Sequence, residues 1–135
     1  MGERLLSRKI IPDAVFSSTA IRAKQTAKII CQKIGYPEEK INFLRSIYHA
    51  NTKELLEHIL QIPQYNESAM IIGHNPSLTM LLYSEWGIPI SDLPTAGIVE
   101  IIFNSKTWNY LSKKSISEAN HDFPKNLNST FIKLK

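Results

Sequence analysis

Ala14-Val15-Phe16-Ser17-Ser18-Thr19-Ala20-Ile21-Arg22-Ala23-Lys24-Gln25-Thr26-Ala27 is the stretch on which the fold turns. Ala14-Val15-Phe16 reads as a short buried strand. Ser18 or Thr19 can cap the helix that follows, and Gly35 suits its left-handed C-terminal position. Ile21, Ala27, Ile30 and Ile34 supply the apolar stripe of this helix, with Arg22, Lys24, Lys28 and Lys33 off it. Arg22 stands in the first turn, where the helix dipole disfavours a cation. Conflicts of that kind concentrate where function overrides propensity.

The same strand-to-helix grammar recurs on either side. Ser68-Ala69-Met70-Ile71-Ile72-Gly73 reads as the clearest buried strand of the chain. His74 follows it, Asn75 is a natural N-cap and Pro76 a natural first helical residue. Leu78, Leu81, Leu82 and Trp86 then make a core-facing stripe. Between the two stretches, Ile41 to Leu44 is a plausible strand. Asn51 with Glu54 opens a helix over 52–62 in capping-box fashion, with Leu55, Leu56, Ile59 and Leu60 inward and Pro63 as its stop. Upstream, Leu5, Leu6, Ile10 and Ile11 suggest the last turns of an amphipathic helix. Downstream, a loop over 87–97 leads to a strand at 98–103, predicted to pair with 108–111 across the turn at 104–106. Strands separated by helices argue for an α/β fold with a mainly parallel sheet covered on both faces.

At 135 residues the chain has material for one core-bearing domain. We expect that domain over 1–111 and a basic polar tail over 112–135, flexible and with little structure. Lys113, Lys114, Lys125, Lys133 and Lys135 face only Glu118 and Asp122 there, so the tail holds most of the net charge of +4. No aromatic-rich basic face supports binding to nucleic acid. No apolar run approaches the roughly 18 residues of a membrane span, and the start of the sequence lacks the apolar segment of a secretory signal. The single cysteine, Cys31, lies among isoleucines, which suits a buried packing thiol in a reducing cytoplasm.

Past the carboxyl ends of strands is where open α/β sheets bind ligands, and Arg22 and His74 both fall there. A guanidinium offers bidentate donors to phosphate oxygens, and an imidazolium adds a donor and positive charge for a phosphoryl group. His49 follows the second strand in a loop. His58, on the polar side of a helix, and His121, in the tail, read as incidental. No Walker loop, dinucleotide fingerprint, nucleophile elbow or Cys/His metal spacing is present, so neither a metal nor a cofactor is expected.

Ser17 to Ala27 resembles the Ser-x-x-x-Arg-Ala-x-x-Thr segment of the histidine phosphatase superfamily. Gly73-His74-Asn75-Pro76 resembles its second-histidine motif, in the form of the small phosphohistidine phosphatases of the SixA type. Tyr48-His49-Ala50 before a Glu-Leu-Leu helix and Leu93-Pro94-Thr95-Ala96-Gly97 are similar to that branch too, so the likeness runs over 1–111. It implies a phosphoglycerate mutase-like three-layer α/β/α sandwich. It also implies a reaction in which a histidine nucleophile takes up a phosphoryl group and passes it to water, from phosphorylated protein histidine or a small phosphate ester. Arg22 and His74 would hold the phosphate, with His49 where relatives place a proton-donating acid. The nucleophile belongs to an Arg-His-Gly or Arg-His-Ala motif on the first strand. Neither motif occurs here: the four histidines are His49, His58, His74 and His121. We therefore expect an amino-terminally shortened form, without the first strand, that is inactive or very weak. The alternatives are a non-catalytic phosphate- or phosphopeptide-binding module, a degenerate remnant, or a basic-tailed interaction protein unrelated to phosphate.

Overall fold

The computed structural model describes residues 1–94, 96–126 and 132–134. Thr95 of the Leu93–Gly97 segment, and 127–131 and Lys135 of the tail, lie outside the described residues. The chain divides into two units, one of residues 1–50 and 65–74, the other of 51–64 and 75–135. Helices, a parallel sheet and an antiparallel sheet make the fold mixed α/β.

In the first unit, α1 (Gly2–Ser7) packs on α2 (Ile21–Ile34). Gly2 permits the close approach: a Cβ there would stand 2.8 Å from the Lys33 Cβ. The strands are β1 (Ala14–Ser18), β2 (Asn42–Leu44) and β3 (Ala69–Ile72), in the order β2-β1-β3 and all parallel. Ser18 sits opposite Leu44, and Ser17 opposite Ile72. Asp13 sets the start of this register. Its carboxylate accepts the backbone N–H groups of Glu67 and Ser68 at 2.7 and 3.3 Å, while its own N–H donates to Ser68. A short helix α3 (Arg45–Tyr48), not foreseen, follows β2 directly.

Several expectations for this unit are corrected. The inward face of α2 is Ala23, Ala27, Cys31 and Ile34 rather than the stripe through Ile21 and Ile30; Ile21 is 75% exposed. Small side chains let α2 lie close to β1, β3 and α1, so the close-packed face wins over the most hydrophobic one. The N-cap position is Ala20, with no side-chain cap; neither Ser18 nor Thr19 occupies it. Gly35 does close the helix, in the left-handed conformation at φ 79°. Ala69 to Ile72 is half-buried rather than fully buried, because within its sheet β3 is an edge strand.

In the second unit, α4 (Thr52–Leu60) starts with the foreseen capping box. Asn51 Oδ1 accepts the Glu54 N–H at 2.9 Å, and Glu54 Oε1 accepts the Asn51 N–H at 3.2 Å. α5 (Ser77–Met80) runs into a wider, π-type turn over Leu81–Glu85 that buries Leu81 and Leu82. Pro76, not Asn75, is its N-cap; Asn75 instead accepts from the Thr79 N–H and hydroxyl and donates to the Leu93 carbonyl. β4 (Ile98–Phe103) pairs antiparallel with β5 (Ile116–Asp122), which pairs with β6 (Ile132–Leu134).

Two further expectations fall here. β4 does not pair with 108–111; the Trp108 N–H goes to the Gln64 side chain, and β5 takes the place beside β4. The stretch beyond Ser112, predicted to hold little structure, supplies both β5 and β6. Asn120 and Asp122 of β5 are buried with their hydrogen-bonding groups engaged. Asn120 donates to Glu100 and Glu118, and Asp122 accepts from Asn126 and the Phe123 N–H. His121 is thereby a strand residue only 9% exposed, not a tail residue.

Candidate phosphate site at the carboxyl edge of the parallel sheet

The three parallel strands all end at one edge of their sheet, and the segments leaving that edge carry the chemistry. Ser17 and Ser18 finish β1 with both side chains fully buried. The chain then turns into α2, whose first-turn N–H groups have no acceptor within the helix. Arg22 lies in that turn, exposed. β2 ends at Leu44, and Arg45 to His49 follow at once. His74 stands two residues past the end of β3, half-buried.

Ser18 is the meeting point. Its Oγ accepts the Ala20 N–H at 3.1 Å and lies 2.7 Å from His74 Nε2. The Tyr48 ring approaches His74 at 5.5 Å between centroids, tilted by 39°. On Tyr48 the His49 ring stacks almost flat, at 4.4 Å and 9°. The structure thus links Ser18, His74, Tyr48 and His49, in that order, in one chain of contacts. Arg22 reaches the same edge of the sheet, but among the described residues no hydrogen bond joins it to this group.

The electrostatics of the edge are one-sided. From Ser17 through Pro37, from Leu44 through Ala50 and at Gly73-His74 there is no Asp or Glu. Next to the strand ends those segments carry Arg22, Lys24, Arg45, His49 and His74, while Lys28 and Lys33 lie farther along α2 beside Glu38 and Glu3. The acids of the unit lie elsewhere: Glu3 in α1, Asp13 before β1, Glu38 and Glu39 before β2, Glu67 before β3. Segregation of this kind makes a potential that favours anions at the carboxyl edge. Of the four cations on α2, three are engaged. Lys24 lies 5.4 Å over the Phe43 ring, and Lys28 and Lys33 each approach a glutamate at 3.5 Å, Glu38 and Glu3. Arg22 makes no hydrogen bond or ion pair among the described residues. Neither does Arg45, one position beyond the residue opposite Ser18.

No family model matches the sequence, and no curated protein does. Solved structures do match. A protein of Agrobacterium tumefaciens assigned as the phosphohistidine phosphatase SixA superposes with a TM-score of 0.64 at 26% identity. The match covers 71% of this chain and 64% of that one, so the chain spans less than two thirds of its length. The chain has the fold of the histidine phosphatase superfamily, in its SixA-type form. A second SixA-assigned protein, from Nakamurella multipartitia, matches at 20% identity with a TM-score of 0.48, over 60% of this chain and 45% of that one.

Within this SixA-type fold, the residues singled out from sequence fall as follows. His74 and His49 share the Tyr48 ring, one on each side of the contact chain, and Arg22 is at the same edge. His58 lies in α4, half-buried. His121 lies buried in β5, and burial lowers its pKa while the neighbouring Asp122 carboxylate pulls the other way. Two residues of this contact chain were not singled out from sequence: Ser18 and Tyr48. A buried serine at the last position of the strand facing the second motif was the available signal for Ser18, read only as a cap. Among the described residues no group of three or more His, Cys, Asp or Glu is placed to hold a metal. No helix among them is long and apolar enough to cross a membrane.

Proposed function

We propose that this chain binds the phosphoryl group of a phosphorylated protein histidine, or of a small phosphate ester, at the carboxyl edge of its parallel sheet. Arg22 clamps the oxygens, His74 donates to them, and His49 is the group placed to deliver a proton to a leaving atom. The single observation that carries the reading is the Ser18–His74 hydrogen bond, between chain segments that carry no Asp or Glu. The likeness to a SixA-assigned protein supports the same chemical class.

Turnover is a separate matter. The reaction of the superfamily passes through a phosphorylated histidine in an Arg-His-Gly or Arg-His-Ala motif, and these 135 residues contain neither. Loss of a covalent nucleophile from groups that act as a unit costs on the order of 10⁴- to 10⁶-fold in rate. The residues present therefore make a phosphate- or phosphopeptide-binding site with little or no hydrolysis of its own. A reducing cytoplasm, which keeps a lone thiol such as Cys31 free, suits it.

Two measurements test this. Titration with inorganic phosphate, followed by NMR, is expected to move the signals of His74 and Arg22; a folded sample with neither shift rejects the site. Hydrolysis of a phosphohistidine peptide and of p-nitrophenyl phosphate is expected to stay at background, and turnover on the scale of ordinary phosphatases overturns the inactive reading.

A further inference from the structure

The hydrogen bond between Ser18 and His74 carries more than proximity, because Ser18 has a limited set of hydrogen-bonding positions. A serine hydroxyl holds one donor and two acceptor lone pairs. One lone pair is taken by the Ala20 N–H at 3.1 Å. The side chain is fully buried, so water cannot reach it, and among the described residues its remaining partner is His74 Nε2 at 2.7 Å. If a neutral His74 carried its proton on Nε2, that N–H would fill the second lone pair and leave the hydroxyl hydrogen buried with no acceptor. If Nε2 is bare, the hydroxyl donates to it and every group is satisfied. Buried polar groups are paired, so the second arrangement wins.

We infer that Ser18 is a positioning residue that holds neutral His74 as the Nδ1–H tautomer. The consequence bears on the phosphate site, and in that respect the inference rests on the reading above. Among the described residues Nδ1 makes no hydrogen bond, so the ring keeps an N–H donor free for an anion even when it carries no charge. An imidazolium donates from both ring nitrogens; this ring is pre-set to donate from Nδ1 in its neutral form as well. The Ser17 hydroxyl, donating to the Ser18 carbonyl at 3.0 Å, and the tilted Tyr48 ring keep the serine and the imidazole in place.

Long-range ¹⁵N–¹H NMR of the full chain, at a pH where the imidazole is neutral, reads the tautomer directly. Wild type is expected to show Nε2 as the bare nitrogen and Nδ1 as the protonated one. Ser18→Ala is expected to release the ring to the Nε2–H form, and Ser18→Thr, which keeps the hydroxyl, to restore the original pattern. A wild-type ring protonated on Nε2 overturns the inference without any variant, and so does an Nδ1–H pattern that survives Ser18→Ala. Titration with inorganic phosphate forms a second arm, in which Ser18→Ala is expected to weaken binding about tenfold. If the tautomer behaves as stated but wild type ignores phosphate, the serine's role stands and the phosphate reading alone fails.

Discussion

Arg22 and Lys24 are two residues apart on one helix, yet the structure gives them different tasks. Lys24 covers the Phe43 ring, whereas Arg22 has no partner among the described residues and sits where the dipole of α2 disfavours it. On the proposed reading, an external anion takes the place of the internal partner that Arg22 lacks. Arg22→Lys keeps the charge and removes the planar fork, so inorganic phosphate is expected to bind about tenfold more weakly, the loss of roughly one charge-assisted hydrogen bond. Lys24→Ala is expected to change affinity by no more than about twofold. Isothermal titration of the two variants decides between them, and equal losses would mean that the edge attracts phosphate only through its summed charge. Cys31 is a residue of the opposite kind. It is fully buried on the inner face of α2, and burial raises its thiol pKa. Both effects suppress the thiolate at neutral pH. Its reaction with a disulfide reagent is expected to be slow in the native chain and to become fast in denaturant; rapid native labelling would contradict the packing role.

Elements differ in how much of their fate is written locally. α4 carries its own start signal, and the foreseen capping box is present in both directions. Asn51→Ala is expected to destabilise the protein by about 1 kcal/mol, read as a lowered thermal midpoint, with Asn51→Asp recovering most of it. β1 was equally legible, since an apolar run between Pro12-Asp13 and a helix start leaves few alternatives. β5 was not. Ile116 to Asp122 has no apolar alternation, and its burial depends on Glu100, Glu118 and Asn126 arriving to satisfy Asn120 and Asp122. Those partners are a matter of tertiary placement, which local pattern does not encode. α2 shows a subtler version of the same limit. Periodicity located the helix and its end, but the inward face was chosen by how closely α1 and the sheet approach, and that favours Ala23 and Ala27 over Ile21. The positions of Arg22, His49 and His74 beyond strand ends were legible because strand ends announce themselves. Ser18 could not be separated from a helix cap until its distance to His74 was known.

At the scale of the whole molecule, the same scarcity of local signal returns as a dependence on pH. His121 is 9% exposed, and among the described residues its Nε2 has no hydrogen-bond partner. It lies between Val99 of β4 and Ile132 of β6 in register, with the Phe123 ring 5.2 Å away. Such surroundings suit a neutral imidazole. Burial lowers its pKa below the ordinary 6.5, and the adjacent Asp122 carboxylate only partly offsets this. The folded chain therefore binds this proton less readily than the unfolded chain does. Unfolding takes up protons, so stability rises with pH across the window that opens near the ordinary histidine value and extends below it. Above that window both states are neutral at this position and the effect vanishes. Acidification from pH 7.5 to 5 is expected to lower the thermal midpoint, followed by the fluorescence of buried Trp86. His121→Gln, which cannot take up the proton, is expected to flatten that decline while leaving phosphate binding unchanged, since none of the residues proposed to hold phosphate lies in β5. A decline that is just as steep in the variant would assign the acid sensitivity to other groups and leave His121 a passive member of the β5 core.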